Sequence, residues 1–597
     1  MNTQFPIYTE KNNCQDCYKC IKVCPVKAIK FEDSCASISS ERCIWCGACV
    51  EICPSNAKRV RNDVGRVIKA LRSKQQVIVS LAPSYLSEFC DMDTKKLIAA
   101  FLQAGFDKVS ETALGAELVA KKAKDWFDLQ KEGVYFSSCC PTMVQLIRKY
   151  YPKYKDNISP ISSPVEAHAT FLKRKYPDCK ICFVGPCIAK KTELTLKENK
   201  LDYVLTFQEI MQLFDELGVD FEFVIPDGNE HFEPMKAGLG NLYPIDGGML
   251  VNMIQGQKEI ASARCFYFGG HEHFSSDKDC YMTVSGVTKF IEVLEDLDNF
   301  DNTKKYFIEI LGCEGGCVKG PIRLKQSSTL IKRTQVINNT TQYQENENYN
   351  KLFETDIHED FGNIDYFDQK QYTQKDIVQI LKRVNKISDA DYLNCGGCGY
   401  DNCKSFAIAL LDGMAENDMC VSYMRKVAKE KTNILLKKMP QGVVLVDENM
   451  KIVQANEKFA FTLGKEMQEL YNLKPGLAGL DITKELSFHK YFSTVLHTCS
   501  DVVEQDVRDG ENFYNLSVFS VQDHLLVCGI IENMHAPEVR KDIVLTRTRD
   551  VINQNMKVVQ KIAFLLGENA SYTESLLNSI VESHTDNKDD KPKTFDL

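Results

Sequence analysis

Cys313 and Cys317 stand in the stretch Leu311-Gly312-Cys313-Glu314-Gly315-Gly316-Cys317-Val318-Lys319-Gly320-Pro321. The glycines between them let the backbone fold close over whatever the two thiolates hold, so that its N–H groups can donate to inorganic sulfide. One such pair is a weak signal. A cubane iron cluster needs four thiolates, however, and two further loops can complete the set: Ser137-Ser138-Cys139-Cys140-Pro141 and Gly185-Pro186-Cys187-Ile188-Ala189-Lys190-Lys191. A second pattern is far more specific. Cys14, Cys17, Cys20 and Cys24-Pro25 are followed by Cys43, Cys46, Cys49 and Cys53-Pro54 at the same spacing. This doubled run fits two 4Fe-4S clusters and does not fit a zinc ribbon. A third group, Cys395, Cys398 and Cys403 with Cys420 beyond an apolar helix, offers four more thiolates, which a 4Fe-4S cluster or zinc could take. Cys35 lies outside the early runs and reads as a buried apolar residue.

At 597 residues the chain is too long for one core and suits about three to five domains. Its 44% hydrophobic and 26% charged content is that of a soluble globular protein, and a net charge of -9 argues against nucleic acid as a partner. The opening MNTQFPIYTEKNNC has no apolar core for export, and no apolar run of membrane-spanning length follows, so a cytoplasmic location with no membrane contact is expected. In a reducing compartment, 25 cysteines make poor disulfides and better metal ligands.

The elements that must position these loops give a multidomain α/β and α+β fold. Apolar runs at 76–84, 133–136, 180–184 and 306–310 read as short strands delivering candidate residues at their C-terminal ends, as in an α/β site. Residues 71–325 are therefore expected to form one α/β catalytic domain behind a two-cluster domain over 1–70. Residues 326–388, with Asn338-Asn339-Thr340-Thr341 and Gln344-Glu345-Asn346-Glu347-Asn348, read as a polar connector, and 389–430 as a small iron-sulfur domain. A new unit over 431–537 opens with two strands and a helix start between Gln441 and Phe459 and closes with strands near 513–518 and 525–531. In the last segment, 538–597, Val544, Val551, Val558 and Leu565 recur every seven residues, with Thr548, Asn555 and Ile562 between them. That is either a short two-stranded seam or an amphipathic helix packed on the preceding sheet, with a charged, disordered tail after Ser583.

The loops at 137–141, 185–191 and 311–321, in this order, resemble the three signature loops of the FeFe-hydrogenases, whose H-cluster joins a 4Fe-4S cubane to a di-iron unit carrying CO, cyanide and a bridging dithiolate amine. The resemblance implies that Cys140, Cys187, Cys313 and Cys317 hold the cubane, with Cys317 bridging to the di-iron unit. It makes Cys139 the last protein group on the proton path, and Lys190, Ser84 and Pro83 the contacts to cyanide. Tyr243-Pro244-Ile245-Asp246-Gly247-Gly248-Met249 resembles the Gly-Gly loop beside the di-iron site. The early run resembles two-cluster ferredoxins, in which the fourth Cys of each run crosses over. That implies Cys14, Cys17, Cys20 and Cys53 for cluster one, and Cys24, Cys43, Cys46 and Cys49 for cluster two. Cys395, Cys398, Cys403 and Cys420 resemble the iron-sulfur domain of electron-transfer subunits and sensory hydrogenases, giving three 4Fe-4S clusters besides the H-cluster.

The sequence also departs from the family. Gly185 and Leu311 replace the usual methionines, Thr142-Met143 ends the first loop differently, and the glycine run after Cys317 is shortened. Lys121-Lys122-Ala123-Lys124 occupies the place of the outer proton-path glutamates, which leaves Ser159, Glu117 and Glu166 as candidates for the path. The unit from Gln441 resembles a PAS domain, in which His489 and His497 read as structural rather than as haem ligands. The leading expectation is a sensory FeFe-hydrogenase that interconverts H2 with protons and electrons at low turnover. Its expected partners are a ferredoxin-like electron carrier, maturation proteins for the di-iron unit and a signalling kinase or phosphatase, with the chain itself a homodimer. The alternative is a fermentative, ferredoxin-linked hydrogenase in which PAS only dimerises. A non-catalytic relative acting in iron-sulfur assembly fits less well, because Cys139, Lys190 and Cys317 are all present.

Overall fold

Strand Val77–Leu81 is buried at every position, as a strand covered on both faces must be, and it pairs in parallel with Lys108–Glu111 on one side and Lys180–Gly185 on the other. The computed structural model describes residues 5–73, 75–194, 201–254, 266–268, 271–275, 279–300, 303–340, 347–361, 367, 370–510, 512–534, 549 and 551–563. By its contacts the chain divides into two units, residues 1–417 and 418–597, so the division falls inside the stretch 389–430 expected as one domain.

In the first unit, Ile7–Thr9 and Lys58–Val60 pair antiparallel and close the cysteine-rich region, while the hairpin Ile29–Glu32/Cys35–Ile38 fills the gap between the two runs. Cys35 is 3% exposed on this hairpin. Behind this region, two sheets share the four strands expected of one α/β domain. The first has the order 108–111, 77–81, 180–185, 203–206 and is wholly parallel. The second places 133–136 at one edge, then 305–311 and 279–285 in parallel, then two antiparallel strands at 271–275 and 266–268. The loops that carry Ser84, Cys139 and Cys140, Cys187, and Cys313 with Cys317 each leave the C-terminal end of one of these parallel strands, where α/β folds place their ligands.

The stretch 326–388 is not a polar connector. Helices Thr329–Asn339, Glu347–Phe353 and Gln374–Arg383 form within it. Val336, Tyr349, Leu352 and Ile357 join the main core. Composition concealed this, because a few well-spaced apolar residues suffice to dock helices that are otherwise polar. Lys332 is fully buried and pairs with Glu88, whose carboxylate also accepts from the amides of Leu324 (2.6 Å) and Lys325 (3.0 Å) just beyond the Cys317 loop. Lys332→Met strands that carboxylate, and a loss of about 3–5 kcal/mol of stability is expected in denaturant unfolding of the first unit. Glu88→Gln combined with Lys332→Met should recover part of it; no recovery would mean that the pair acts through packing alone.

In the second unit, helix Val421–Lys438 precedes a five-stranded antiparallel sheet of order 452–455, 442–447, 526–533, 512–522, 502–509. Four helices between strands 452–455 and 502–509 close its core around Phe459, Phe492, Leu516 and Ile531. Strand Val502–Asp509 went unread in the sequence because its charged residues face outward at this edge. His489 Nδ1 lies 2.9 Å from the Leu486 carbonyl, in keeping with a structural residue. Of the heptad positions, Val551, Asn555, Val558 and Ile562 lie in a helical stretch, 551–563, whereas Val544, Thr548, Leu565 and the tail fall outside the described residues. Among the described residues no helix is long and apolar enough to cross a membrane.

Candidate active site

The two early cysteine runs use left-handed backbone at Asp16, Tyr18, Trp45 and Gly47 to wrap tightly round their sulfurs. The amides of Ala28, Trp45 and Ala57 approach Cys24, Cys43 and Cys53 Sγ at 3.2, 3.3 and 3.2 Å. Electrostatic contacts sort the thiols into two sets. Cys20 feels Cys17, Cys14 and Cys53, whereas Cys49 feels Cys46, Cys43 and Cys24. Buried Lys58, unread in the sequence, is a cation within reach of both Cys20 and Cys49.

Cys140, Cys187, Cys313 and Cys317 form a third set. Burial raises the Cys313 and Cys317 thiols well above the ordinary range, and the mutual repulsion of the set adds to it. Burial likewise pushes Cys187 up to about 11. Thiols raised in this way, as Cys187, Cys313 and Cys317 are, can shed their protons together only against strong positive charge, which is what iron supplies. The loop geometry fits the same group. Gly315 and Gly316 hold left-handed backbone, and a Cβ at Gly316 would stand 2.4 Å from the Pro244 carbonyl oxygen. The Gly312 amide lies 3.4 Å from Cys140 Sγ. Cys46 of the early runs is an electrostatic neighbour of both Cys313 and Cys140, so the second early set adjoins the third.

Beside this set lies a cavity whose wall includes Pro83, Ser84, Cys139, Lys190, Tyr243 and Cys317. Ser84 Oγ is buried in that wall without a hydrogen-bond partner, a donor available to an acceptor in the cavity. Burial works against the Lys190 charge, but the Glu193 carboxylate at 2.9 Å outweighs it and holds the amine above its ordinary range. Glu193 was not among the residues read from the sequence. Leu311 lines the same cavity. Gly185 could not carry a methionine here: its Cβ would stand 2.7 Å from both Ala82 Cβ and the Phe183 ring.

Cys139 is buried with its Sγ 3.4 Å from Met249 Sδ, and burial keeps its thiol protonated, the Glu309 carboxylate adding to this once it ionises. Glu309 accepts from the amides of Gly247 (2.8 Å) and Met249 (3.0 Å), and burial pushes its carboxyl up to about 8. Tyr243 faces both Cys139 and Glu309. Sequence reasoning missed Glu309 and named Tyr243 only as part of the Gly-Gly loop, with no role of its own. The signal for the first was a charged residue within the apolar strand Phe307-Ile308-Glu309-Ile310-Leu311.

The three residues read as a proton path are all buried, with different surroundings. Glu117 accepts from the amides of Gly238 (2.7 Å) and Gly240 (3.1 Å). Glu166, in the first turn of helix Pro164–Lys175, lies close enough to Lys190 to reinforce its charge. Ser159 Oγ has no hydrogen-bond partner. The lysines that replace the outer glutamates serve the periphery: Lys124 pairs with Asp128, and Lys121 sits over the Phe353 ring. Burial raises Glu117 from 4.5 to about 7. The folded chain therefore keeps a proton that the unfolded chain has released, and stability falls as pH rises from about 4.5 to about 7 and stays lower above. Glu117→Gln removes this loss, so the variant should match the parent near pH 4 and exceed it by up to ~3 kcal/mol above pH 7 in urea unfolding.

In Cys395–Cys403, Gly396 and Gly399 hold left-handed backbone, and the Cys403 amide donates to Asn394 Oδ1 (2.8 Å) at the start of helix Cys403–Leu411.

Three stretches of the chain are similar to known protein families. Residues 75–321 match the family described as iron only hydrogenase large subunit, C-terminal domain; residues 6–54 match the 4Fe-4S dicluster domain, and residues 392–422 an Fe-S cluster family. Iron hydrogenase 1 of Clostridium pasteurianum is 25% identical over 44% of this chain and 52% of its own length, so the chain spans about half of that relative. The cytosolic Fe-S cluster assembly factor NAR1 of Kluyveromyces lactis is 26% identical over 18% of this chain and 24% of its own length. Among solved structures, the FeFe-hydrogenase HydA1 from Chlamydomonas reinhardtii is 17% identical, with a TM-score of 0.41 over 50% of this chain and 96% of its own. The chain thus carries a hydrogenase-like H-cluster domain together with iron-sulfur domains.

Proposed function

We propose that the protein is a sensory FeFe-hydrogenase, which interconverts H2 with protons and electrons at low turnover and reports hydrogen or redox status through its second unit. The observation that carries this reading is one cavity wall joining Cys317, Cys139, Lys190 and the unpartnered Ser84 hydroxyl. Cys140, Cys187, Cys313 and Cys317 hold the cubane. Cys14, Cys17, Cys20 and Cys53 hold cluster one, Cys24, Cys43, Cys46 and Cys49 hold cluster two, and Cys395, Cys398, Cys403 and Cys420 supply a fourth cluster. When bound, the H-cluster supplies the redox chemistry of hydrogen. Ser84 and Lys190 would donate to its diatomic ligands, and Glu193 holds Lys190 charged for that purpose. Cys139 hands protons to and from the cavity, with Glu309 and Tyr243 at its back. Clusters held by the two early cysteine sets would supply electron transfer to the cubane, the set of Cys46 being the one that adjoins Cys140.

Two features support a sensory role over bulk turnover. Gly185 and its crowded surroundings leave no methionine beside the cavity, and the second unit, whose sequence resembles a PAS domain, carries a five-stranded antiparallel sheet from which a signal would pass to a kinase or phosphatase. A cytoplasmic homodimer served by a ferredoxin-like carrier and by maturation proteins completes the reading. Infrared spectroscopy of protein matured anaerobically with the di-iron cofactor tests it: CO and cyanide bands that shift under H2, with slow gas exchange, are expected. Bands with fast turnover favour a fermentative enzyme. The likeness to NAR1 favours a second reading, a non-catalytic iron-sulfur protein, and absence of the bands in fully iron-loaded protein would establish it.

A further inference from the structure

The loop 395–403 seats directly on the two-cluster domain. Gly399 lies so close to helix Lys19–Val23 that a Cβ there would stand 2.9 Å from Ile21 Cβ and 3.1 Å from the Tyr18 carbonyl oxygen. Lys27 Nζ donates to the Gly399 carbonyl (3.3 Å), the Phe31 amide donates to the Met414 carbonyl (2.9 Å), and Arg42 pairs with Asp412 at 2.9 Å. Arg42 is itself held over the Phe367 ring at 4.1 Å, and Asp412 also accepts from the Tyr372 hydroxyl at 2.6 Å. Tyr400 is carried into the middle of this interface. It is 2% exposed, its hydroxyl has no hydrogen-bond partner, and its electrostatic neighbours include both Cys398 and Cys24. A ring that only fills space has no use for a hydroxyl, and a buried O–H without an acceptor is costly.

We propose that the iron-sulfur loop 395–403 is wired into cluster two through Tyr400, whose phenol donates to a sulfur of one of the two clusters. This rests on the cluster assignments proposed above. The step is a one-electron exchange: one cluster is oxidised by one electron and the other reduced by one, with no bond made or broken and no proton transferred. Cluster two then serves as a junction. It meets the H-cluster domain at Cys46, the rest of the two-cluster domain through the shared runs, and the loop 395–403 at Cys24.

A hydrogen bond to cluster sulfur favours the reduced, more negative state, so its removal lowers the reduction potential. The test uses full-length chain reconstituted anaerobically with iron and sulfide, and reads iron content and an EPR-monitored redox titration. Tyr400→Phe should leave the iron count unchanged and lower one 4Fe-4S midpoint by about tenfold in its reduction equilibrium, ~59 mV for one electron. Cys395→Ser combined with Cys398→Ser should remove one cluster and sharpen the EPR signal of cluster two, whose reduced spin has lost its neighbour. Unchanged midpoints in Tyr400→Phe, an unchanged cluster-two signal in the double variant, or zinc in place of iron at this loop would each overturn the proposal. The infrared bands of the H-cluster are independent of all three results, so failure here is distinguishable from failure of the hydrogenase reading.

Discussion

Cys317→Ala is expected to cost the reconstituted chain about four iron atoms, one cubane, while the iron of the two-cluster domain stays in place. Hydrogen exchange should drop to background. The expectation follows from position. Cys317 belongs both to the set with Cys140 and Cys187 and to the cavity wall, so its sulfur is the point at which a cluster and a cavity occupant can be joined. The substitution itself is mild for the fold: Cys317 begins a short turn through Lys319, and the conformational demand of the loop falls on Gly315 and Gly316. Iron counting separates loss of the cluster from loss of activity alone. Retention of both iron and gas exchange in Cys317→Ala would remove the basis of the proposed function.

The cysteine patterns made most of this site legible, because a metal cluster fixes ligand type and spacing more tightly than packing fixes apolar residues. Short runs such as Lys180–Gly185 likewise reveal themselves, since a strand buried on both faces reads as a nearly continuous apolar stretch. What was not legible depended on long-range partners. Glu309 looks like an interruption in its strand until Gly247 and Met249, some sixty residues away in sequence, present their amides to it. Lys332 looks like a surface lysine of a polar helix until Glu88 is found beneath it. The helices in 326–388 had the same character: their few buried residues pack on a core built by other segments, so local composition understated their order. The seating of loop 395–403 on the first cysteine region could not be read from spacing at all, since it depends on single contacts such as Arg42 with Asp412 across 370 positions.

Cys139→Ala should slow hydrogen turnover by ~10²–10⁴-fold while leaving iron content and infrared bands in place, because it removes a proton-handling group and none of the proposed ligands. The sharper measurement is the pH profile of Glu309→Gln. With its carboxyl raised to about 8, Glu309 is mostly protonated at neutral pH and ionises as pH rises through about 8. If it supplies Cys139, hydrogen evolution by the parent protein needs the protonated form and should fall across that pH, whereas hydrogen uptake needs the ionised form and should rise. Glutamine can do neither, so both limbs should flatten in the variant at a rate reduced by ~10²-fold or more. Glu117→Gln provides the contrast. Its carboxyl is engaged by the Gly238 and Gly240 amides, and substitution there should alter stability with pH while leaving the limb near pH 8 in place. A profile that shifts in Glu117→Gln and stays fixed in Glu309→Gln would instead assign the proton route to the residues read first from the sequence.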